Sequence, residues 1–318
     1  MNMKKEVSTI SKEEAEELLG GKAHNVSSHS DADGISAAVL FSLAWKVNSI
    51  RFPERFGDVK NGETVLDMTP LEEGFEGIII DHHIPRCEYP NAVYLHGDEP
   101  ATYLVYSLSK ERIPPEQRWK VVIGCVGDGS EEVVPPDVWI KNKDLIVEMS
   151  QVYSGRGGID LYPRPLFEKL SPALNAFART GHPDIGYRVL MQSATPRDFL
   201  SHTLVDEHKK MLQQEESRVL KEYPVREVGP VYYWEINTSF HMSYLASKLL
   251  SKKHKTVILV NAYNNSLSIR GPLAEVARVF LSDICDLGGH RGFIGGSIKA
   301  GVDRKEVLRT FIRKWWST

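Results

Sequence analysis

The sequence predicts an α/β protein with two unequal modules joined by a helix, and three observations carry that reading. Short β-branched runs alternate with helical segments through the front of the chain, the pattern of a mostly parallel sheet flanked by helices. A stretch of helical periodicity, closed by Pro224, separates front from rear. Charge divides at the same place. Residues 223–318 hold 14 Lys and Arg against 7 Asp and Glu, whereas the residues before them hold 25 against 35. The expected modules are therefore 1–195, a connecting helix over 196–222, and a smaller α/β module over 223–318.

In the front module, strands are expected at 23–28, 64–66, 77–80 and 92–95. The third is an unbroken run of isoleucines, as in a parallel strand buried on both faces. Helices follow at 35–46, 101–109 and 116–126, with Pro114 and Pro115 marking the break between the last two. Beyond Pro135 and Pro136 the chain reads as helical over 137–149 and 165–179, with a glycine-rich connector at 154–158. Leu200, Leu204, Met211, Leu212, Val219 and Leu220 recur at helical spacing in the connecting stretch. The rear module then shows strands at 231–236, 256–261 and 267–270, helices at 243–250 and 273–281, and a final glycine-rich segment.

Composition excludes several classes. The 318 residues are 42% hydrophobic and 25% charged, which is ordinary for a globular protein. No run approaches the ~18 apolar residues of a membrane helix, so no membrane partner is expected. The opening segment is acidic and amphipathic rather than apolar, which points to the cytoplasm. Cys87, Cys125 and Cys285 are few and far apart, as buried thiols are, rather than disulfides or a zinc site. A basic rear module suits a ligand that bears phosphate.

Four acidic or histidine clusters fall at the ends of expected elements. They are His29, Asp31 and Asp33 in "HSDADGIS", Asp67 in "VLDMTP", Asp81-His82-His83 in "IIIDHH", and Asp128 in "VGDGS". In an open α/β sheet, ligands bind beyond the carboxyl ends of the strands. Carboxylates gathered there repel one another unless cations neutralise them. A mixed carboxylate and imidazole set suits Mn²⁺, and a bridging carboxylate holds two ions about 3.5–4 Å apart. Singly, each cluster has a plain structural reading. Asp-Gly is common in turns, and a strand-end Asp often caps a helix.

Taken in order, the four clusters resemble the DHH phosphoesterase superfamily, named for its Asp-His-His signature, and within it the archaeal RecJ-like single-strand nucleases. "LSIRGP" and "LGGHRGFIGGSI" are similar to the DHHA1 substrate-binding domain, so the resemblance runs from Ser28 to Ile298. It implies that Asp31, Asp33, Asp67, His82 and Asp128 hold two divalent cations, with His29 a sixth ligand and Asp67 bridging. Mn²⁺ is the expected ion, with Mg²⁺ or Co²⁺ as substitutes. In an extended chain neighbouring side chains point opposite ways, so His82 is expected to turn to the metal and His83 to the phosphate under attack, with Asp81 orienting an imidazole from behind. Arg270 and His290 are expected on a substrate phosphate, with Gly288 and Gly289 letting backbone N–H groups approach it. Trp234, Tyr232 and Tyr263 are candidates to stack on bases. The sequence departs from the pattern at Leu287, where a third glycine is usual, and at Phe293-Ile294-Gly295-Gly296, where small residues are usual.

The function implied is an exonuclease on single-stranded DNA or RNA, with a lean to 3′→5′ polarity, that releases nucleoside monophosphates. Replication or repair proteins and a second copy of the chain are the further partners considered. The alternative is a phosphoesterase for small substrates, namely short oligonucleotides, pAp or a cyclic dinucleotide, and an inactive scaffold of a repair complex ranks third. A dehalogenase-type phosphatase reading of Asp31-Ala-Asp33 leaves the paired histidines unused. A calcium EF-hand fails because its loop glycine comes too early. The GXXG of a KH loop, met at Gly289–Gly292, would make the protein a binder instead of an enzyme.

Overall fold

The computed structural model describes residues 3–7, 10–54, 56–83, 85, 87–146, 148–153, 159–164, 166–290 and 292–317. The chain forms two compact units, Met1–Ala178 with His182–Lys209, and Arg179–Gly181 with Lys210–Thr318.

The first unit is built on six parallel strands, β1 (Met3–Glu6), β2 (His24–Ser28), β3 (Val47–Arg51), β4 (Thr64–Leu66), β5 (Gly77–Asp81) and β6 (Ala92–His96), in the order β1-β6-β5-β4-β2-β3. Alternate residues of β4 and β5 enter separate apolar layers. Leu66, Ile78 and Ile80 join one, and Val65 and Ile79 join the other, which is why the isoleucine run has no polar member. Helices α1 (Lys12–Leu19), α2 (Ala32–Ala44), α3 (Ala101–Ser109), α4 (Val121–Gly127), α5 (Pro136–Lys141), α6 (Phe167–Arg179), α7 (Pro183–Gln192) and α8 (Pro196–Ser201) complete the unit, with a two-stranded antiparallel pair, β7 (Glu148–Tyr153) and β8 (Ile159–Arg164). From β2 the chain leaves through α2 to β3 on one side, and then crosses to β4 on the other. The crevice at such a divergence is where open α/β sheets bind ligands.

Several expectations change. Helix α2 begins at Ala32, so Asp33 and Gly34 lie in its first turn. The helix expected over 137–149 stops at Lys141, where the Asn142 side-chain amide donates to the Val138 carbonyl, and the chain then turns into β7. The glycine-rich connector at 154–158 lies outside the described residues. The stretch expected as one helix over 196–222 is two. A capping box between Thr195 and Asp198 starts α8, and His202 then runs extended before α9 (Thr203–Glu222), its Nδ1 accepting the Leu204 N–H at 3.3 Å.

The second unit holds a mixed six-stranded sheet of β9 (Arg226–Val228), β10 (Val231–Ile236), β11 (Thr256–Asn261), β12 (Ser266–Arg270), β13 (Cys285–His290) and β14 (Phe293–Ile298), in the order β13-β14-β12-β11-β10-β9. Only β10 and β11 pair in parallel. Helices α11 (Ala274–Leu281) and α12 (Lys305–Trp316) cover one face. The rear half of α9 and α10 (Tyr244–Lys253) pack on the other. The glycine-rich segment is the β13–β14 hairpin. No helix among the described residues is long and apolar enough to cross a membrane.

Candidate metal centre

Strands β5, β4 and β2 are neighbours, so their carboxyl ends open side by side. His29 follows β2, Asp67 follows β4, and Asp81, His82 and His83 end β5. Helix α2 begins directly beyond His29, and two features let it start so close. The Ser28 hydroxyl donates to the Gly34 carbonyl at 2.7 Å, and Gly34 presses on the His29 backbone, where a Cβ would lie 2.2 Å from the carbonyl oxygen.

Asp67 is the pivot of the site. Its φ of 58° is left-handed, a backbone that strains a residue other than glycine by about 1–2 kcal/mol. Neighbouring strands hold it there, since the Asp67 N–H donates to the Ile80 carbonyl at 3.0 Å and Leu66 accepts from His29 at 3.1 Å. The side chain is 2% exposed, and neither carboxylate oxygen has a hydrogen-bond partner. His29 Nδ1 stands 3.6 Å from one oxygen and His82 Nε2 stands 3.4 Å from the other. His82 Nε2 likewise has no hydrogen-bond partner, although Asp128 lies 3.3 Å and Asp33 3.9 Å from it. Buried donor atoms left in this state are costly unless something binds them.

Three overlapping groups of possible ligands result. They are Asp67, Asp81, His82 and His83; His29, Asp31 and Asp67; and Asp33, His82 and Asp128, each with its donor atoms within 4.8 Å of one another. Oxygen and imidazole donors facing inward from a buried floor fit divalent cations.

Asp33 is held from behind. Its two oxygens accept the first N–H groups of α3, from Ala101 at 2.8 Å and Thr102 at 2.9 Å, while the Thr102 hydroxyl donates to the Asp33 carbonyl. Gly124 in α4 makes room for this contact, because a Cβ there would lie 2.1 Å from the Thr102 hydroxyl. The Ala32 N–H donates to Asn175 of α6, which ties the start of α2 to a distant helix.

The paired histidines depart from expectation. Their rings lie 4.4 Å apart between centroids instead of facing opposite ways. The chain bends after β5, because Asp81 Oδ1 accepts both the His82 N–H and the His83 imidazole Nδ1, at 2.9 and 2.8 Å. Asp81 thus orients His83, and the Tyr94 hydroxyl donates to the His83 carbonyl at 3.0 Å. Thr102, Asn175, Gly124 and Tyr94 carried no sequence signal, because each acts through a contact distant in the chain.

Electrostatics reflect the crowding. Burial, then Asp33 and Asp31, push the Asp67 carboxyl well above the ordinary range, against His29. Burial, then Asp33, Asp67 and Asp31, push Asp128 up to about 8. Burial and Asp31 raise Asp33. Burial opposes the outcome at His29, yet Asp31 and Asp67 hold that imidazole well above its usual value. In Asp31 burial is outweighed by His29, which lowers it.

A pH dependence follows. A carboxyl raised from 3.8 to about 8 binds its proton more tightly in the folded state, so its contribution to stability falls as pH rises across that interval. In chelator, Tm of the wild type relative to Asp128→Asn is expected to fall between about pH 5 and pH 8. Divalent cation is expected to restore it most at the alkaline end, since cation replaces proton there. Thermal unfolding across pH checks this, and a difference that rises with pH would contradict the crowded-carboxylate account.

In the second unit, Gly288 and Gly289 lie on β13 and Arg270 on β12, with β14 between the two strands. His290 ends β13, and its side chain lies outside the described residues. Arg270 Nη1 donates to the Ile269 and Ile294 carbonyls at 3.0 and 2.6 Å. Trp234 is not available for stacking, because it is 2% exposed and its indole N–H donates to the Tyr223 carbonyl. Tyr232 is half-buried, with its hydroxyl on Glu227. Tyr263 is exposed, on the turn that precedes β12 and so at the strand end opposite Arg270.

No protein-family model matches the chain, and no curated protein does. Solved structures do. RecJ from Thermus thermophilus in complex with Mn²⁺ aligns with a TM-score of 0.66 at 17% identity, over 96% of this chain and 54% of that one. Its Mg²⁺ complex gives 0.63 at 16%, over 96% and 52%, so the chain spans about half the length of that RecJ. A DHH domain from a protein described as a member of a family of ribosomal proteins aligns at 0.61 and 15%, over 95% and 88%. The pGpG-specific phosphodiesterase PggH from Vibrio cholerae aligns at 0.51 and 14%, over 92% of this chain and 99% of that one.

Proposed function

We propose, from the premise that the chain has the DHH/DHHA1 phosphoesterase fold, that it is a metal-dependent phosphodiesterase trimming single-stranded DNA or RNA from an end. The observation that carries this is Asp67, buried at 2% exposure with both oxygens unbonded between two groups of inward-facing donors. Two divalent cations fit that arrangement, with His29 and Asp31 on one side of Asp67 and Asp33, His82 and Asp128 on the other. Mn²⁺ is the ion we favour, because oxygen and imidazole donors are mixed. Such ions, when bound, acidify water and neutralise charge on a phosphoryl group.

The chain's own groups do the rest. Asp81 holds Nδ1 of His83 and so leaves Nε2 to face the phosphate. The α3 N-terminus keeps Asp33 from turning away. Arg270 takes a substrate phosphate, with His290, Gly288 and Gly289 in the β13–β14 hairpin. Water adds to phosphorus, the bond to the departing sugar oxygen breaks, and that oxygen takes up a proton. The products are a nucleoside monophosphate and a shortened strand, and we assign 3′→5′ polarity.

A second reading is favoured by one comparison. PggH is matched over 99% of its length, whereas Thermus thermophilus RecJ is matched over about half and another RecJ structure over 91%. A chain of this size is thus also suited to short oligonucleotides, pAp or cyclic dinucleotides. One Mn²⁺ assay decides between the two. It sets long and short DNA and RNA, labelled at either end, beside pAp and a cyclic dinucleotide. Stepwise ladders on long strands are expected, and activity confined to the small substrates would overturn the first reading. EDTA and Asp33→Ala are each expected to abolish turnover. Arg270→Ala is expected to raise KM by roughly tenfold or more with less effect on kcat, as loss of a charged phosphate contact does.

A further inference from the structure

The two faces of the second sheet are unequally covered. Helix α10 packs with Trp234, Val257 and Leu259 on one face, over β10 and β11. The far side of the same face belongs to β12, β14 and β13. There Arg270 pairs with Phe293, and Ser268 pairs with Gly295, which in turn pairs with Gly288. Directly opposed residues share a face, and faces repeat every second residue. Helix α10 also reaches β12, where Ser268 is buried, so the less covered part is a floor formed by Gly295 and Gly288, with a guanidinium and an aromatic ring at one end.

That ring is out of place as a core residue. Phe293 is 54% exposed, and the Arg270 guanidinium lies 5.5 Å from its centroid. Arg270 is half-buried, its Nη1 is pinned by two backbone carbonyls, and it forms no ion pair among the described residues. A desolvated cation with no ion pair among the described residues, touching a large exposed ring, matches the two parts of a nucleotide, a phosphate and a flat base.

We propose that Phe293 is a base-stacking residue, receiving the base of the nucleotide whose phosphate Arg270 holds. This rests on the phosphodiesterase reading above and deepens it. The substrate is recognised as a nucleotide at this patch, not as a bare phosphoester, and the identity of the base is left unread. Stacking tolerates every base because each presents a π-face.

The test compares wild type, Phe293→Ala and Phe293→Trp on single strands whose terminal nucleotide is either normal or abasic. For wild type, KM is expected to be lower for the normal end. Phe293→Ala is expected to shrink that preference by roughly tenfold, and Phe293→Trp to keep it. A preference unchanged in Phe293→Ala overturns the proposal. A second arm needs no turnover. Asp67→Asn protein in EDTA is titrated into a dinucleotide carrying 2-aminopurine, and its fluorescence is followed. Quenching that Phe293→Ala abolishes supports stacking even if no phosphoester is cleaved, in which case only the hydrolytic reading fails. Hydrolysis without quenching leaves the hydrolytic reading standing and removes Phe293 from it.

Discussion

Asp67→Asn is expected to lower metal-dependent turnover by roughly a thousandfold or more, the scale seen when a group central to transition-state charge is removed. The substitution isolates charge from shape. Asparagine is nearly isosteric and is enriched in the left-handed region, so the φ of 58° at this position is kept. What disappears is the anion that, on the proposed reading, both donor groups share. Chelated Asp67→Asn protein is expected to melt above chelated wild type, because one member of a mutually repelling set of carboxylates is gone. Added Mn²⁺ is then expected to raise its Tm much less than that of wild type. Steady-state kinetics and thermal unfolding read both effects, and retention of a tenth of wild-type activity would remove Asp67 from the centre of the site.

Gly34→Ala is expected to destabilise the fold by about 3–5 kcal/mol, the range of severe core disruption. A methyl group there would lie 2.2 Å from the His29 carbonyl oxygen, and the obstacle is backbone, which no rotamer change relieves. Helix α2 would have to lift off β2, losing the Ser28–Gly34 hydrogen bond and loosening a helix whose Ile35, Ala37, Ala38, Val39, Leu40 and Phe41 are all fully buried. Gly74→Ala is the control. It has open space around its Cβ and an ordinary φ, so a change within about 0.5 kcal/mol is expected. Denaturant unfolding of both variants checks the contrast.

Much of the front sheet was legible because its strands are short, apolar and bounded by polar ends. The run Ile78–Ile80 reads as a strand buried on two sides, and the clusters beyond β2, β4 and β5 gather because those strands are neighbours. Other parts were hidden for physical reasons. β3 is an edge strand with half-exposed residues, so "VNSIR" shows no apolar alternation. Helix α1 carries a capping signal, since Ser11 accepts the Glu14 N–H, but no long apolar run. β7 follows a helix that its own asparagine terminates, where composition alone suggested that the helix continues. The bend that brings His82 and His83 together depends on Asp81 bonding to both, which the side-chain alternation of an extended chain does not reveal.

The way Asp33 and Asp128 are mounted has a consequence for ion choice. Asp33 is fully buried and clamped by two amides at the positive end of α3, so its oxygens are fixed in place. Asp128 sits at the last turn of α4 with its side chain 26% exposed, and its one ion-pair neighbour among the described residues is His82. On the proposed reading, a cation held there would meet one stiff wall and one compliant wall. A pocket of that kind adjusts its width to the ion it receives, so it discriminates poorly by ionic radius. If the proposed reading holds, which metal works there would be governed by ligand exchange and by the supply of each ion around the protein.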